Sequence, residues 1–140
     1  MMPPEHRDWY DTPHYYDIIF DADTPSEADF LEQVWRRHGV TGRARIHRVL
    51  EPACGSGRLI AELARRGWST DGFDGNPNML AYARERLAKE GLKARLWEGW
   101  MQSFDVPGRT RYDLAHCLVS TFKYLQTEAD AAACLQRVAA

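Results

Sequence analysis

The chain is poor in cysteine, has no long apolar run and carries no large excess of either charge. Its three cysteines, Cys54, Cys117 and Cys134, are odd in number and widely spaced. That is neither a disulfide framework nor a zinc pattern, and it predicts the reducing cytoplasm. The five histidines show no metal-ligand spacing, so no metal is expected. The longest apolar stretch, 114–122, is interrupted by His116, Ser120 and Thr121. It falls short of the ~18 residues that span a bilayer. The first residues are charged and aromatic and lack the apolar centre of a secretory signal. A formal net charge of −2 argues against a nucleic-acid footprint, which needs a strong basic excess. Neither a membrane nor a nucleic acid is therefore expected as partner.

What is present fits one globular domain. The 140 residues are 44% hydrophobic and 27% charged, enough for a packed core. Residues 1–45 read as an N-terminal lead-in and helix, and 46–140 as the core. The lead-in carries Pro3, Pro4, Pro13 and Pro25, and four aromatics, Trp9, Tyr10, Tyr15 and Tyr16. It reads either as a partly ordered segment packing on the domain or as a flap over a ligand. A helix is expected over 26–38, with Ser26 and Asp29 as a capping pair and Phe30, Leu31, Val34 and Trp35 on one face. Gly39 stops it, and 41–45 is a polar connector.

From there strands and helices alternate. Strands are expected at 46–51, 68–74, 93–97 and 112–118, and helices at 58–66, 77–90 and 127–140. Asn76 caps the second of these helices with Pro77 at its first position, and Thr127 with Asp130 caps the third. Such alternation predicts an α/β fold, a parallel sheet with helices on both faces. In these sheets ligands bind at the carboxyl ends of the strands.

After the first strand comes Glu51-Pro52-Ala53-Cys54-Gly55-Ser56-Gly57, leading straight into a helix. Two glycines two apart allow a tight turn and close approach of a ligand to backbone. After the second strand stands Asp74, in Asp74-Gly75-Asn76-Pro77. A carboxylate there can accept hydrogen bonds from both hydroxyls of a ribose.

These two segments carry a family resemblance. Residues 49–57, with an acid four positions before Gly-x-Gly, resemble the first motif of class I S-adenosylmethionine-dependent methyltransferases, and 72–80 resemble their second. The resemblance implies a Rossmann-like three-layer αβα fold with strand order 3-2-1-4 in the part present. It implies that Glu51, Gly55 and Gly57 line the amino-acid end of the cofactor, Asp74 the ribose and Met79 the adenine. Ala53, Cys54, Gly75 and Leu118 complete the implied cofactor contacts. After the third strand the family often carries an Asp for the adenine amino group. Here Trp100 stands in its place, leaving the Met101 N–H and Gln102 to make that contact. Residues 112–125 resemble the segment leading to the acceptor in small-molecule methyltransferases, including the glycine N-methyltransferase-like group.

The implied reaction is direct displacement of a methyl group from S-adenosylmethionine onto a small-molecule acceptor, leaving S-adenosylhomocysteine. His116, Lys123 and Tyr124 are the candidates for a base, should the nucleophile arrive protonated; each also reads as an ordinary packed or solvated residue. Cys54, with no histidine beside it in sequence, reads as a small buried residue. A nicotinamide oxidoreductase would want Gly or Ala where Ile60 stands. The family's sheet has seven strands, and four are expected here. A bare fourth-strand edge would template pairing, for instance into a homodimer. A non-catalytic fragment that needs a partner or the missing part is the alternative reading.

Overall fold

The computed structural model describes residues 9–40, 47–119 and 121–140. Pro3, Pro4, the connector 41–45 and Ile46 lie outside them.

A parallel four-stranded sheet forms the centre: β1 (Arg48–Pro52), β2 (Ser69–Asp74), β3 (Ala94–Glu98) and β4 (Leu114–Ala115), in the order β3-β2-β1-β4. The helices are α1 (Pro13–Phe20), α2 (Thr24–His38), α3 (Arg58–Arg65), α4 (Pro77–Glu90) and α5 (Glu128–Ala139). This is the Rossmann-like arrangement expected, with boundaries within two residues for all the expected elements except β4. Among the described residues no helix is long and apolar enough to cross a membrane.

Alternation along β1 divides the core. Val49 packs with Ala28 and Leu31 of α2, Leu59 and Leu63 of α3, and Trp68. Leu50 points the other way, to Phe73 and Phe104, with Trp97, Met101 and Tyr112 around them. Ile60 and Ala61 of α3 meet Leu80 and Leu87 of α4 over β3. Arg137 ties α5 to the Phe104 face through the carbonyls of Phe104 (2.8 Å) and Gln102 (3.2 Å).

Local chemistry explains the helix ends. The Asn76 side chain accepts from the N–H groups of Asn78 and Met79, with Pro77 in the first turn. Thr127 accepts from the Asp130 N–H at 3.1 Å. The capping pair expected at Ser26 is not formed. Helix α2 begins two residues earlier, and the Ser26 hydroxyl donates back to the Asp23 carbonyl at 2.9 Å. Pro25 lacks an N–H, which costs nothing in a first turn. Asp29 instead pairs with Arg66 at 2.7 Å. The buried face of α2 is set by Ala28, Leu31 and Trp35, so Phe30, expected inside, is 55% exposed.

Helix α1 was not expected from the sequence. Its inner face carries Asp17, which a hydrophobic pattern does not register. That carboxylate is buried between three partners: Ser56 (2.5 Å), Tyr82 (2.9 Å) and the Arg86 guanidinium. Strand β4 is also shorter than expected, two residues rather than 112–118. Asp113 caps the β1 edge, accepting from the Arg48 N–H at 2.8 Å, and Tyr112 turns to donate to Asp71 at 2.6 Å. Beyond the strand, Val119 takes a left-handed φ of 59°, which ends an extended run.

Gly57 begins α3 with φ +74°, and a Cβ there would lie 2.7 Å from the Ala83 Cβ. Replacing Gly57 by Ala should therefore cost both a contact and about 1–2 kcal/mol of left-handed strain. In urea unfolding, Gly57→Ala is expected to be clearly less destabilising in an Ala83→Gly background. Equal cost in both backgrounds would show that the close α3–α4 approach does not limit this position.

Candidate functional site

The carboxyl ends of all four strands open into one cavity of ≈780 Å³. Each strand contributes through its first residues beyond the sheet. Ala53 and Gly55 follow β1, Asp74 and Gly75 end β2, Trp100 to Gln102 follow β3, and Val119, Thr121 and Tyr124 follow β4. The N-terminal segment adds Tyr10, Tyr16 and Phe20.

The turn after β1 is built from unusual backbone. Ala53, Gly55 and Gly57 have φ of 53°, 56° and 74°. Its N–H groups find partners on β2: Cys54 donates to the Phe73 carbonyl (2.9 Å) and Gly55 to the Asp74 carboxylate (2.9 Å). The other Asp74 oxygen accepts from the Asn76 N–H at 2.8 Å. Burial raises the Asp74 carboxyl above its ordinary range, while the backbone N–H groups of Asn76, Gly55 and Gly75 oppose that rise. The carboxylate keeps lone-pair capacity for a hydroxyl donor.

Trp100 is 59% exposed. Its ring lies so close over Gly75 that a Cβ there would be 2.6 Å away. Met79 is fully buried and forms part of the floor. Among the described residues the lining therefore combines aromatic rings with two carboxylates, Asp74 and Asp130, and no Lys or Arg. Behind Tyr16 stands Arg58, which is buried and paired with Glu27.

The sequence-derived residues divide into two groups. Ala53, Gly55, Asp74, Gly75, Met79, Trp100, Met101 and Tyr124 meet at the cavity. Glu51, Cys54, Gly57 and Leu118 do not line it. Gly57 is the first-turn contact with Ala83. Cys54 is buried in the α3–α4 layer, with its thiol pushed well up by burial. Leu118 packs with the Val49 cluster, because the chain turns at Val119. Of the base candidates, His116 is buried behind the sheet end and Lys123 is exposed away from the cavity; Tyr124 faces it, edge-on to Tyr10 at 6.4 Å. The sequence reading missed the contributions of Phe20, Val119, Thr121 and Asp130. Spacing of Tyr16, Asp17 and Phe20 after Thr12-Pro13 was the available signal for α1.

Burial also shapes the pair behind the turn. Glu51 and His116 are each 7% exposed, with Glu51 Oε2 4.0 Å from His116 Nε2. Burial raises the Glu51 carboxyl well above the ordinary range and lowers His116 to about 4.

The strand order, the left-handed glycine turn and the acid closing β2 define a Rossmann-like ligand-binding domain. A family model described as a methyltransferase domain matches residues 49–140, and the chain belongs to that family. The chain is 33% identical over 117 residues to a glycine/sarcosine N-methyltransferase of Halorhodospira halochloris, covering 81% of this chain and 40% of that protein. It is 31% identical over 128 residues to a dTDP-3-amino-3,6-dideoxy-alpha-D-glucopyranose N,N-dimethyltransferase of Streptomyces fradiae, covering 89% and 46%. Among solved structures, an S-adenosylmethionine-dependent methyltransferase from Clostridium acetobutylicum superposes with a TM-score of 0.74 at 25% identity, covering 89% of this chain and 49% of the other. The chain thus spans less than half the length of these relatives.

The two buried groups give opposite pH dependences. The unfolded chain protonates His116 near 6.5, while the folded chain resists until about 4. Stability from this group is complete above pH 6.5 and falls by about 3 kcal/mol as pH drops to 4. Glu51 acts in the other direction: the folded state keeps a proton that the unfolded chain loses near 4.5, so stability falls as pH rises above that value. Denaturation across pH 4–8 should show His116→Gln losing the acid-side decline and Glu51→Gln losing the alkaline-side one. Unchanged profiles would mean that neither group is held neutral.

Proposed function

We propose that this chain holds S-adenosylmethionine in the strand-end cavity for transfer of its methyl group to a small-molecule acceptor. The observation that carries the reading is the cavity lining: aromatic faces and two carboxylates, with no cationic side chain among the described residues. Aromatic faces and carboxylates attract a cation, and a sulfonium with an ammonium end is such a ligand. The ≈780 Å³ volume lies within the range of small-molecule sites. Sequence relatives named as N-methyltransferases of glycine and of an amino sugar support an amine as the acceptor class.

Bound there, the cofactor supplies an electrophilic methyl carbon that a nucleophile attacks in line. The chain's own residues hold the reactants. Asp74 is preset by Gly55 and Asn76 with lone pairs left for ribose hydroxyls. Met79 and the Trp100 ring provide apolar surface for adenine. The amino-acid end lies along Ala53 and Gly55, with Glu51 close behind. Tyr10, Tyr16 and Phe20 cover the cavity and keep water from the sulfonium. An amine acceptor attacks through its free lone pair, so it needs no base when it arrives neutral. Tyr124 is the candidate nearest the acceptor, as a hydrogen-bonding residue on the cavity's β4 side.

Calorimetric titration with S-adenosylhomocysteine, with NAD as control, tests the reading. Saturable binding of S-adenosylhomocysteine alone is expected. At ~100 times its dissociation constant it should add ~2.7 kcal/mol to folding stability. Asp74→Ala and Gly55→Asp should each abolish binding while the chain still melts cooperatively. Parental affinity in both variants would move the cofactor elsewhere.

A further inference from the structure

Three buried polar atoms at the ends of β1 and β4 have no hydrogen-bond partner among the described residues: Glu51 Oε2 and both ring nitrogens of His116. Such atoms are rare in a folded interior, because each has lost water without replacement. They are also adjacent. His116 follows β4, where its N–H donates to the Leu50 carbonyl at 3.1 Å. That bond places its ring beside Glu51, with Nε2 4.0 Å from Oε2. The separation is too long for a hydrogen bond, and a small side-chain rotation closes it. The pair sits directly behind the cavity. Ala53 and Gly55, which line the cavity, follow Glu51 in the same turn.

We propose that His116 is a positioning residue for Glu51: its neutral imidazole holds the carboxyl toward the cationic amino-acid end of the cofactor, and the pair releases one proton to solvent as that end binds. The inference rests on the cofactor reading above. Before the cofactor binds, the rotation that closes the 4.0 Å gap lets the His116 Nε2–H donate to one oxygen of the protonated Glu51 carboxyl. When an ammonium group arrives at the other oxygen, the carboxyl proton leaves through the cavity to solvent, and the buried, unpartnered Nδ1 stays unprotonated. The carboxylate then accepts from both Nε2–H and the ammonium. The imidazole stays neutral throughout, as its two nitrogens allow. One positive charge enters and one proton departs.

The surrounding groups favour this exchange. Burial favours the protonated form of Glu51, Arg58 of α3 opposes this, and Glu27 of α2 and Asp74 of β2 support it. Burial and Arg58 keep His116 from becoming imidazolium. The other titratable groups nearby, Tyr16 of α1, Cys54 and Cys117, are all raised. None of them can be the source of a proton at neutral pH.

The test is calorimetry of the 140-residue chain with S-adenosylhomocysteine at pH 7, in buffers of different ionisation enthalpy. The expected result is net release approaching one proton per cofactor, absent in Glu51→Gln. His116→Leu should lose about tenfold in affinity, the effect of one charge-assisted hydrogen bond. His116→Gln, whose amide can donate or accept, should recover most of it. A merely structural histidine would lower the melting temperature of His116→Leu and leave affinity unchanged. Binding without proton release by the parent chain overturns the inference and leaves the cofactor reading standing; no binding by the folded parent overturns both. The parent's proton count decides the matter even if a variant fails to fold.

Discussion

A turn with three left-handed residues leaves backbone N–H groups that no helix or ladder will satisfy. In this chain the turn after β1 takes its partners from the end of β2, through Cys54 N–H to Phe73 and Gly55 N–H to the Asp74 carboxylate. The β1–β2 register sets this up, pairing Pro52 with Phe73 and leaving Asp74 one step beyond. A one-residue slip would send that carboxylate to the other face of the sheet. Gly72 permits the register, since a Cβ there would stand 3.0 Å from both the Cys54 Cβ and the Ile60 methyl. The carboxylate that faces the cavity and the one that closes the turn are therefore the same.

Charge is arranged in layers around that turn. The cavity carries carboxylates and rings. Behind it, Arg58 is neutralised by Glu27 and stacks 5.8 Å over Phe20. The N-terminal segment is fastened both to the turn after β1 and to the start of α4. Asp17 holds Ser56 within the glycine turn, and Asp11 accepts from the side-chain amides of Asn76 (3.2 Å) and Asn78 (3.0 Å) at the start of α4. The aromatic cover over the site is thus held by polar contacts, not by its own hydrophobicity; Tyr15, Ile18 and Ile19 on α1 remain exposed.

The parts legible in the sequence were those written in local chemistry. Asn76-Pro77 and Thr127 announce helix starts because a side chain must satisfy free N–H groups within three residues. Alternation of strands and helices announces a parallel sheet, since each crossover needs a helix to return the chain. Gly55, Gly57 and Asp74 were legible together because the turn and the acid occur at fixed places relative to strand ends. Helix α1 was signalled only by Thr12-Pro13 and its spacing, because its buried face centres on a charged residue whose partners lie on α4 and the glycine turn. Phe30 was misplaced for a related reason: periodicity gives a stripe, and only the neighbours show which edge of it is buried.

The sequence by itself determined the order of elements, the strand-end turn and the acid that follows β2, since these depend on residues close along the chain. Tertiary structure alone decided which of them share a cavity. Leu118 left the site because the backbone reverses at Val119, and Tyr16 and Phe20 entered it because Asp17 pins α1 to a turn 39 residues away. It also decided the state of Glu51 and His116. A carboxyl and an imidazole titrate normally in an open chain, and only their burial at adjoining strand ends, away from water, shifts both toward their neutral forms.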